Sequence, residues 1–362
     1  MKYIDEYRNN KLVAGLVGKI RGLDPSPCSL MEVCGTHTVA IARSGLREIL
    51  PPEIRLLSGP GCPVCVTSQR DVDTMVALAG LPGVIVATFG DMVRVPGTAS
   101  SLEAERAAGA RVEVVYSSDD ALDIAERNPN NEIVFIAVGF ETTAPGIAAT
   151  VLAARKRRLG NISFFVAHKL VPPALAALAS LKALKLDGLI CPGHVSAVIG
   201  SDAYRPVAED KHIPCVVAGF EPVDIAGAIY RLVKQIREGR CEVENQYTRV
   251  VRKEGNPLAL RQMYSAFEVC PAEWRGLGTI PASGLRLKGR LADYDALRKL
   301  RPEPPPSREP KGCRCGDVLA GKMSPPECAL FGRACTPENP VGPCMVSSEG
   351  SCAAHYRYLA GR

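Results

Sequence analysis

The chain reads as an α/β protein: two Rossmann-like parallel-sheet domains facing a cleft, plus a cysteine-rich C-terminal domain. Three observations predict this. Short apolar runs alternate with helical patterns through the middle of the 362 residues, the rhythm of parallel strands joined by covering helices. Several unusual motifs fall just after a predicted strand and just before a helix, where open α/β sheets place their ligand crevices. Six cysteines then crowd the last fifty residues, where regular periodicity is lost.

The predicted strands cover 30–34, 54–58, 84–89, 112–116, 133–138, 163–167, 188–191 and 215–218. Helical patterns lie between most of them, at 71–79, 102–108, 121–127 and 147–158, and one more runs from 225 to about 238. Gly139-Phe140-Glu141 and Gly219-Phe220-Glu221 each close an apolar run, a short echo of two units of similar build. The division expected is a first α/β domain over 25–128, a second over 129–240, and a third that gathers 1–24 with 241–362. Beyond 240 the pattern is irregular, and Arg301-Pro302-Glu303-Pro304-Pro305-Pro306 forms a stiff connector to the tail.

Composition narrows the function. At 46% hydrophobic residues the chain can bury sizeable cores. No apolar run approaches the ~20 residues that span a bilayer, so no membrane role is expected. The charged start, Met1-Lys2-Tyr3-Ile4-Asp5-Glu6, lacks a signal-peptide pattern. A cytoplasmic location follows as the expectation, and there clustered cysteines mean metal or redox chemistry more often than disulfide staples. The net charge is +6, but the basic residues are dispersed, and the densest run, Arg155–Arg158, sits at a helix end where the dipole favours it. With 5% aromatics and no basic–aromatic alternation, no nucleic-acid partner is expected.

Five loops carry candidate chemistry. Cys34-Gly35-Thr36-His37 places a thiol near a helix N-terminus, which favours the thiolate. His37 is positioned to bond that sulfur or to bind metal; the plain reading is a core cysteine with a capping histidine. Gly59-Pro60-Gly61-Cys62-Pro63-Val64-Cys65 holds Cys62 and Cys65 at C-x-x-C spacing, which suits a redox dithiol or two ligands to one metal. No second pair is local, so the dithiol is favoured over zinc. Ser68 and Asp71 behind it resemble a helix-start pair. Glu141, Thr142 and Thr143 offer a carboxylate and two hydroxyls at a helix start; capping explains one threonine but not the glutamate. His194, after Pro192-Gly193, is either a loop ligand or structural, and Gly90-Asp91 completes the set. Cys28, Cys191, Cys215, Cys241 and Cys270 are assigned to packing.

The tail spacing is C-x-C-x12-C-x6-C-x8-C-x7-C, through Cys313, Cys315, Cys328, Cys335, Cys344 and Cys352. Irregular spacing in a loop-rich segment suits a [4Fe-4S] cluster, which needs four thiolates. The remaining two would form a redox pair, with Cys313 and Cys315 splitting the roles. Structural zinc also fits four thiolates but gives two sulfurs no task.

Taken together, the motifs resemble the family of the hydrogenase maturation factor HypD. The matching stretches are Met31-Glu32-Val33-Cys34-Gly35-Thr36-His37, Gly59 to Cys65, Gly139-Phe140-Glu141-Thr142-Thr143-Ala144-Pro145, Pro192-Gly193-His194-Val195-Ser196 and the tail, including Cys344-Met345-Val346-Ser347-Ser348-Glu349-Gly350. The resemblance implies a role in building the Fe(CN)2CO group of nickel–iron hydrogenases. It implies partnership with a HypC-type small chaperone and with a HypE-type cyanide donor that acts downstream of HypF. By carry-over, Cys34 would ligate the iron, Cys62 and Cys65 would serve redox or ligand transfer, and the tail would carry the [4Fe-4S] cluster. Thr142, Thr143 and His194 are then candidates to bond the diatomic ligands. The competing expectation is a stand-alone thiol–disulfide oxidoreductase resembling ferredoxin:thioredoxin reductase, which would need neither Cys34 nor His37. A zinc-stabilised nucleotide-binding protein is disfavoured by the absence of a Walker loop or a strand-linked G-x-G-x-x-G.

Overall fold

In a computed structural model, which describes residues 5–181 and 184–359, the chain forms two parallel sheets, one antiparallel hairpin and a cysteine-rich tail. The strands are β1 (Cys28–Glu32), β2 (Ile54–Ser58), β3 (Val84–Thr88), β4 (Arg111–Val114), β5 (Glu132–Ala137), β6 (Ile162–Val166), β7 (Gly188–Pro192), β8 (Cys215–Ala218), β9 (Val243–Asn245), β10 (Phe267–Trp274) and β11 (Gly278–Leu287). The α/β class is as expected. The first sheet has the order β2-β1-β7-β8-β9 and the second β4-β3-β5-β6, and every pairing within them is parallel.

This topology corrects the expected domain boundaries. The chain leaves the first sheet after β2, builds the whole second sheet, and returns at β7. The first unit is therefore split, and no division at 128/129 separates the two. Nor do 1–24 and 241–362 form one domain. The helix Asn10–Gly22 buries Val13, Val17 and Ile20 in the same core as Leu30, Ile225 and Ile229, beside the first sheet. β9 extends that sheet, while Phe267, Leu285 and Leu287 of the hairpin join Phe135 and Phe164 of the second. Only the tail keeps a small core of its own, built on Cys335, Met345 and Ala353. Residues 1–4 and 360–362 of that expected domain lie outside the described residues.

Local chemistry explains the elements. β5 is Glu-Ile-Val-Phe-Ile-Ala, buried from Ile133 to Ala137, as a strand covered on both faces requires. The helix Pro222–Glu238 opens with proline in its first turn and a capping box between Glu221 and Asp224. It stops at Gly239, whose φ of 65° suits a residue without a Cβ. The basic run closes the helix Ala144–Arg157 and is exposed, with Arg157 paired to Glu126 at 3.2 Å. The hairpin was not legible: Pro271 interrupts β10 at a register shift between Cys270 and Ala272, the bulge a proline needs inside a strand. Among the described residues, no helix is long and apolar enough to cross a membrane.

Candidate functional site

β1 ends at Glu32, and two residues later Cys34 caps the helix Gly35–Ser44 in an extended conformation, φ −153° and ψ 125°. Cys34 is buried, and burial pushes its thiol up to about 12. The amide of His37 facing the sulfur offsets part of this, as do the amide and hydroxyl of Thr36, while the charge of Glu349 adds to it. The helix end thus does not outweigh desolvation, contrary to the sequence expectation. Such a thiol keeps its proton until a cation displaces it.

The ring of His37 does not bond that sulfur. Its Nε2–H donates to the Gly219 carbonyl at 2.9 Å, and its centroid lies 4.9 Å from that of Phe220. Burial holds the imidazole neutral, pushing it down to about 4. Phe220 also stacks on the exposed His194, with centroids 3.9 Å apart. The rings therefore join the loops after β1, β7 and β8 at the carboxyl edge of the first sheet.

The loop after β2 completes this edge. Gly61 is pressed onto the Cys34 backbone: a Cβ there would lie 2.1 Å from the Cys34 nitrogen. Cys62 then caps the short helix Pro63–Val66, its Sγ accepting from the Cys65 amide at 3.2 Å. Cys62 and Cys65 are joined as a disulfide, with Cα atoms 5.2 Å apart, and both are buried. Cys65 Sγ lies 3.9 Å from the carbonyl oxygen of Pro343, the residue before Cys344. The dithiol segment is thus seated against the tail.

All six tail cysteines line one cavity, walled by Val318, Leu330, Phe331 and Met345. Among the described residues, no three His, Cys, Asp or Glu side chains converge as ligands to a single metal ion. Six thiols around one hollow exceed the four that either a [4Fe-4S] cluster or a zinc ion takes. Two cysteines stand out from the six. Cys315 Sγ is 2.7 Å from Cys344 Sγ, and both residues are buried. Hydrogen bonds from the Cys313 and Cys344 thiols, aided by the charge of Arg275, hold Cys315 well below the usual thiol range; Cys344 is raised in return.

A second strand of tail contacts reaches Cys34. Thr36 Oγ1 donates to Glu349 Oε1 at 2.7 Å, and Gly35 leaves no room for a side chain, a Cβ lying 2.6 Å from Glu349 Cβ. Ser347 Oγ donates to Asp91 Oδ2 at 2.9 Å, which ties in the loop after β3. The segment 343–349 therefore touches the Cys34, Cys65 and Asp91 loops together.

The Glu141 loop is employed otherwise. Glu141 Oε1 accepts from the amide of Val171 at 2.9 Å, so the glutamate caps the helix Val171–Ala179. Burial pushes its carboxyl up to about 7, and Oε2 is buried without a partner. Thr143 Oγ1 turns back to the Phe140 carbonyl at 3.3 Å, and Thr142 is exposed. Among the described residues, no hydrogen bond joins Glu141, Thr142 or Thr143 to Cys34, Cys62 or Cys65. Cys28, Cys191 and Cys215 are buried in the sheets, and Cys241 donates to the His212 carbonyl at 3.1 Å; Cys270 lies in the hairpin. Sequence reasoning missed Glu349 as a partner of Thr36, since 313 residues separate them. It also missed Arg275, which no motif marks.

The model of the hydrogenase formation hypA family, HypD, matches residues 11–359. A hydrogenase maturation factor HypD from Rhizobium leguminosarum bv. viciae is 46% identical over 368 residues, covering 99% of this chain and 96% of its own. Its counterpart from Azotobacter vinelandii is 47% identical, covering 99% and 97%. That from Escherichia coli K12 is 44% identical, covering 99% and 98%. Family match, relatives and motif order agree across nearly the whole length, and the chain belongs to the HypD family of hydrogenase maturation factors.

Proposed function

We propose that the chain holds an iron ion on Cys34 while the Fe(CN)2CO group of a nickel–iron hydrogenase is assembled, and that its thiol pairs supply the electrons for cyanide transfer. The observation that carries this reading is the meeting of three cysteine motifs. Gly61, next to Cys62, abuts Cys34, and Cys65 abuts the residue before Cys344. Iron is the cargo, and a soft thiolate suits an iron bearing cyanide. Binding would displace the Cys34 proton, with the Thr36 and His37 amides already facing the sulfur. His194, exposed and stacked on Phe220 at the same sheet edge, is the candidate to bond a diatomic ligand.

Cyanide carried on a sulfur is released by two electrons. Reduced Cys62 and Cys65 supply them as follows. One thiolate attacks the donor's sulfur and expels cyanide, and the other resolves the mixed disulfide. The donor leaves as a thiolate, and Cys62–Cys65 is left as a disulfide. Restoring it by exchange needs a neighbouring dithiol. The Cys315 thiolate attacks Cys65, Cys62 leaves, and Cys344 then displaces Cys65. One disulfide breaks, one forms, and two electrons move. With Cys315 and Cys344 in that role, Cys313, Cys328, Cys335 and Cys352 remain to hold a [4Fe-4S] cluster. When bound, the cluster would supply electrons one at a time.

The reading includes a HypC-type chaperone and a HypE-type cyanide donor, fed by HypF, as partners, and a cytoplasmic setting, where thiols are kept reduced. A stand-alone thiol–disulfide oxidoreductase would use the same pairs but leaves Cys34 idle. Anaerobic purification with iron analysis tests the choice: Cys34→Ser should lose one labile iron and keep the tail's absorbance. Unchanged iron content in that variant would favour the oxidoreductase.

A further inference from the structure

The turn between β10 and β11 is wedged between the two thiol pairs. Its root is fixed: Trp274 is buried, stacks on Phe140 with centroids 6.0 Å apart, and donates from Nε1 to Ser283 Oγ at 2.9 Å. From that root Arg275 grips the far end of the Cys62–Cys65 segment. Its amide donates to the Val66 carbonyl at 2.9 Å, Nε to the Thr67 carbonyl at 3.1 Å, and Nη1 to Gln69 Oε1 at 3.1 Å. On the other side Gly276, at φ 77°, lies backbone to backbone on Gly316, the residue after Cys315. A Cβ on Gly276 would be 2.4 Å from the Gly316 Cα.

The side chain of Arg275 is 1% exposed, and Nη2 is buried without a partner. Its hydrogen-bond acceptors are neutral. The carboxylate within reach is Glu309, at 3.5 Å and 52% exposed. A guanidinium withdrawn from water is costly unless negative charge meets it.

We propose that Arg275 is a positioning residue that holds the Cys62–Cys65 and Cys315–Cys344 segments in exchange register. The proposal rests on the relay reading above. Its fork sets the geometry, and lysine isolates that contribution, because it keeps the charge but cannot reproduce the planar fork.

The test uses the full chain, purified anaerobically with its tail chromophore intact. The protein is poised in dithiothreitol redox buffers, alkylated, and each cysteine pair is read by mass spectrometry. Arg275→Gln should slow exchange between the two pairs about tenfold and leave the Cys62/Cys65 equilibrium unchanged. Arg275→Lys, which keeps the charge but not the fork, should be slowed as much. A folded Arg275→Gln protein with a wild-type exchange rate would overturn the proposal. Should Arg275→Gln fail to fold, Arg275→Lys decides, and a wild-type exchange rate there overturns the positioning role. If the unaltered protein shows no exchange between its pairs, the relay reading fails, and amide hydrogen exchange over 66–69 and 315–317 in the variants still judges the positioning, which wild-type protection there would overturn.

Discussion

The hydroxyl of Thr36 donates to Glu349 across 2.7 Å, and this one bond ties the tail segment after Cys344 to the turn that presents Cys34. Thr36→Val keeps the shape and removes the donor. The net loss in stability should be modest, about 1 kcal/mol, because Glu349 keeps access to water. Iron retained after desalting should nonetheless fall several-fold as the turn loosens. Melting temperature and iron content, measured on one preparation, check both halves.

Gly61 is required for a different reason. A methyl group there would sit 2.1 Å from the Cys34 nitrogen, against backbone that has no side chain to swing aside. Gly61→Ala should therefore destabilise by more than about 3 kcal/mol or displace the Cys34 turn. A urea titration checks this, with Gly18→Ala as the control, since a Cβ at Gly18 meets nothing within 4 Å.

The buried carboxyl of Glu141 gives a pH signature. Its folded value, raised to about 7 by burial, lies above the ordinary 4.5. Between these values the native state holds a proton that the unfolded chain has released, so this contribution to stability is full below pH 4.5 and is lost as pH rises through 7. His37 and His168, pushed down to about 4 and about 3 by burial, act in the opposite sense, adding stability as pH rises toward 6.5. Glu141→Gln isolates the first effect and keeps an acceptor for the Val171 amide. Relative to the unaltered chain, it should gain on the order of 3 kcal/mol between pH 4.5 and 7. A flat difference across that range would count against the assignment.

The tail cysteines should separate by substitution. Cys315→Ser and Cys344→Ser should each keep the visible absorbance of the anaerobic protein and block exchange with Cys62–Cys65. Cys328→Ser and Cys335→Ser should bleach it. Absorbance near 400 nm is the readout, and a bleached Cys315→Ser protein would reassign the redox pair.

The strands were legible because buried parallel strands are apolar runs bounded by glycine and proline, and β2 and β8 fall where those runs lie. The two Gly-Phe-Glu repeats did mark two units, one closing β5 and the other β8. Their connection was hidden, because which strands pair depends on contacts far apart in sequence, and β1 finds β7 across the whole second sheet. Cys34, Cys62 and the tail cysteines could be singled out by residue type and spacing. The duty of Glu141 could not: a carboxylate beside two threonines suggests chemistry, yet it caps a helix that starts thirty residues on. His37 was misread for a related reason, since its amide, not its ring, faces the sulfur.

Infrared spectroscopy of the chain, copurified anaerobically with the small chaperone proposed as its partner, tests the central claim most directly. Cyanide and carbon monoxide stretching bands should be present in the unaltered protein and absent from Cys34→Ser. Bands of equal position and intensity in that variant would mean that the iron is held elsewhere.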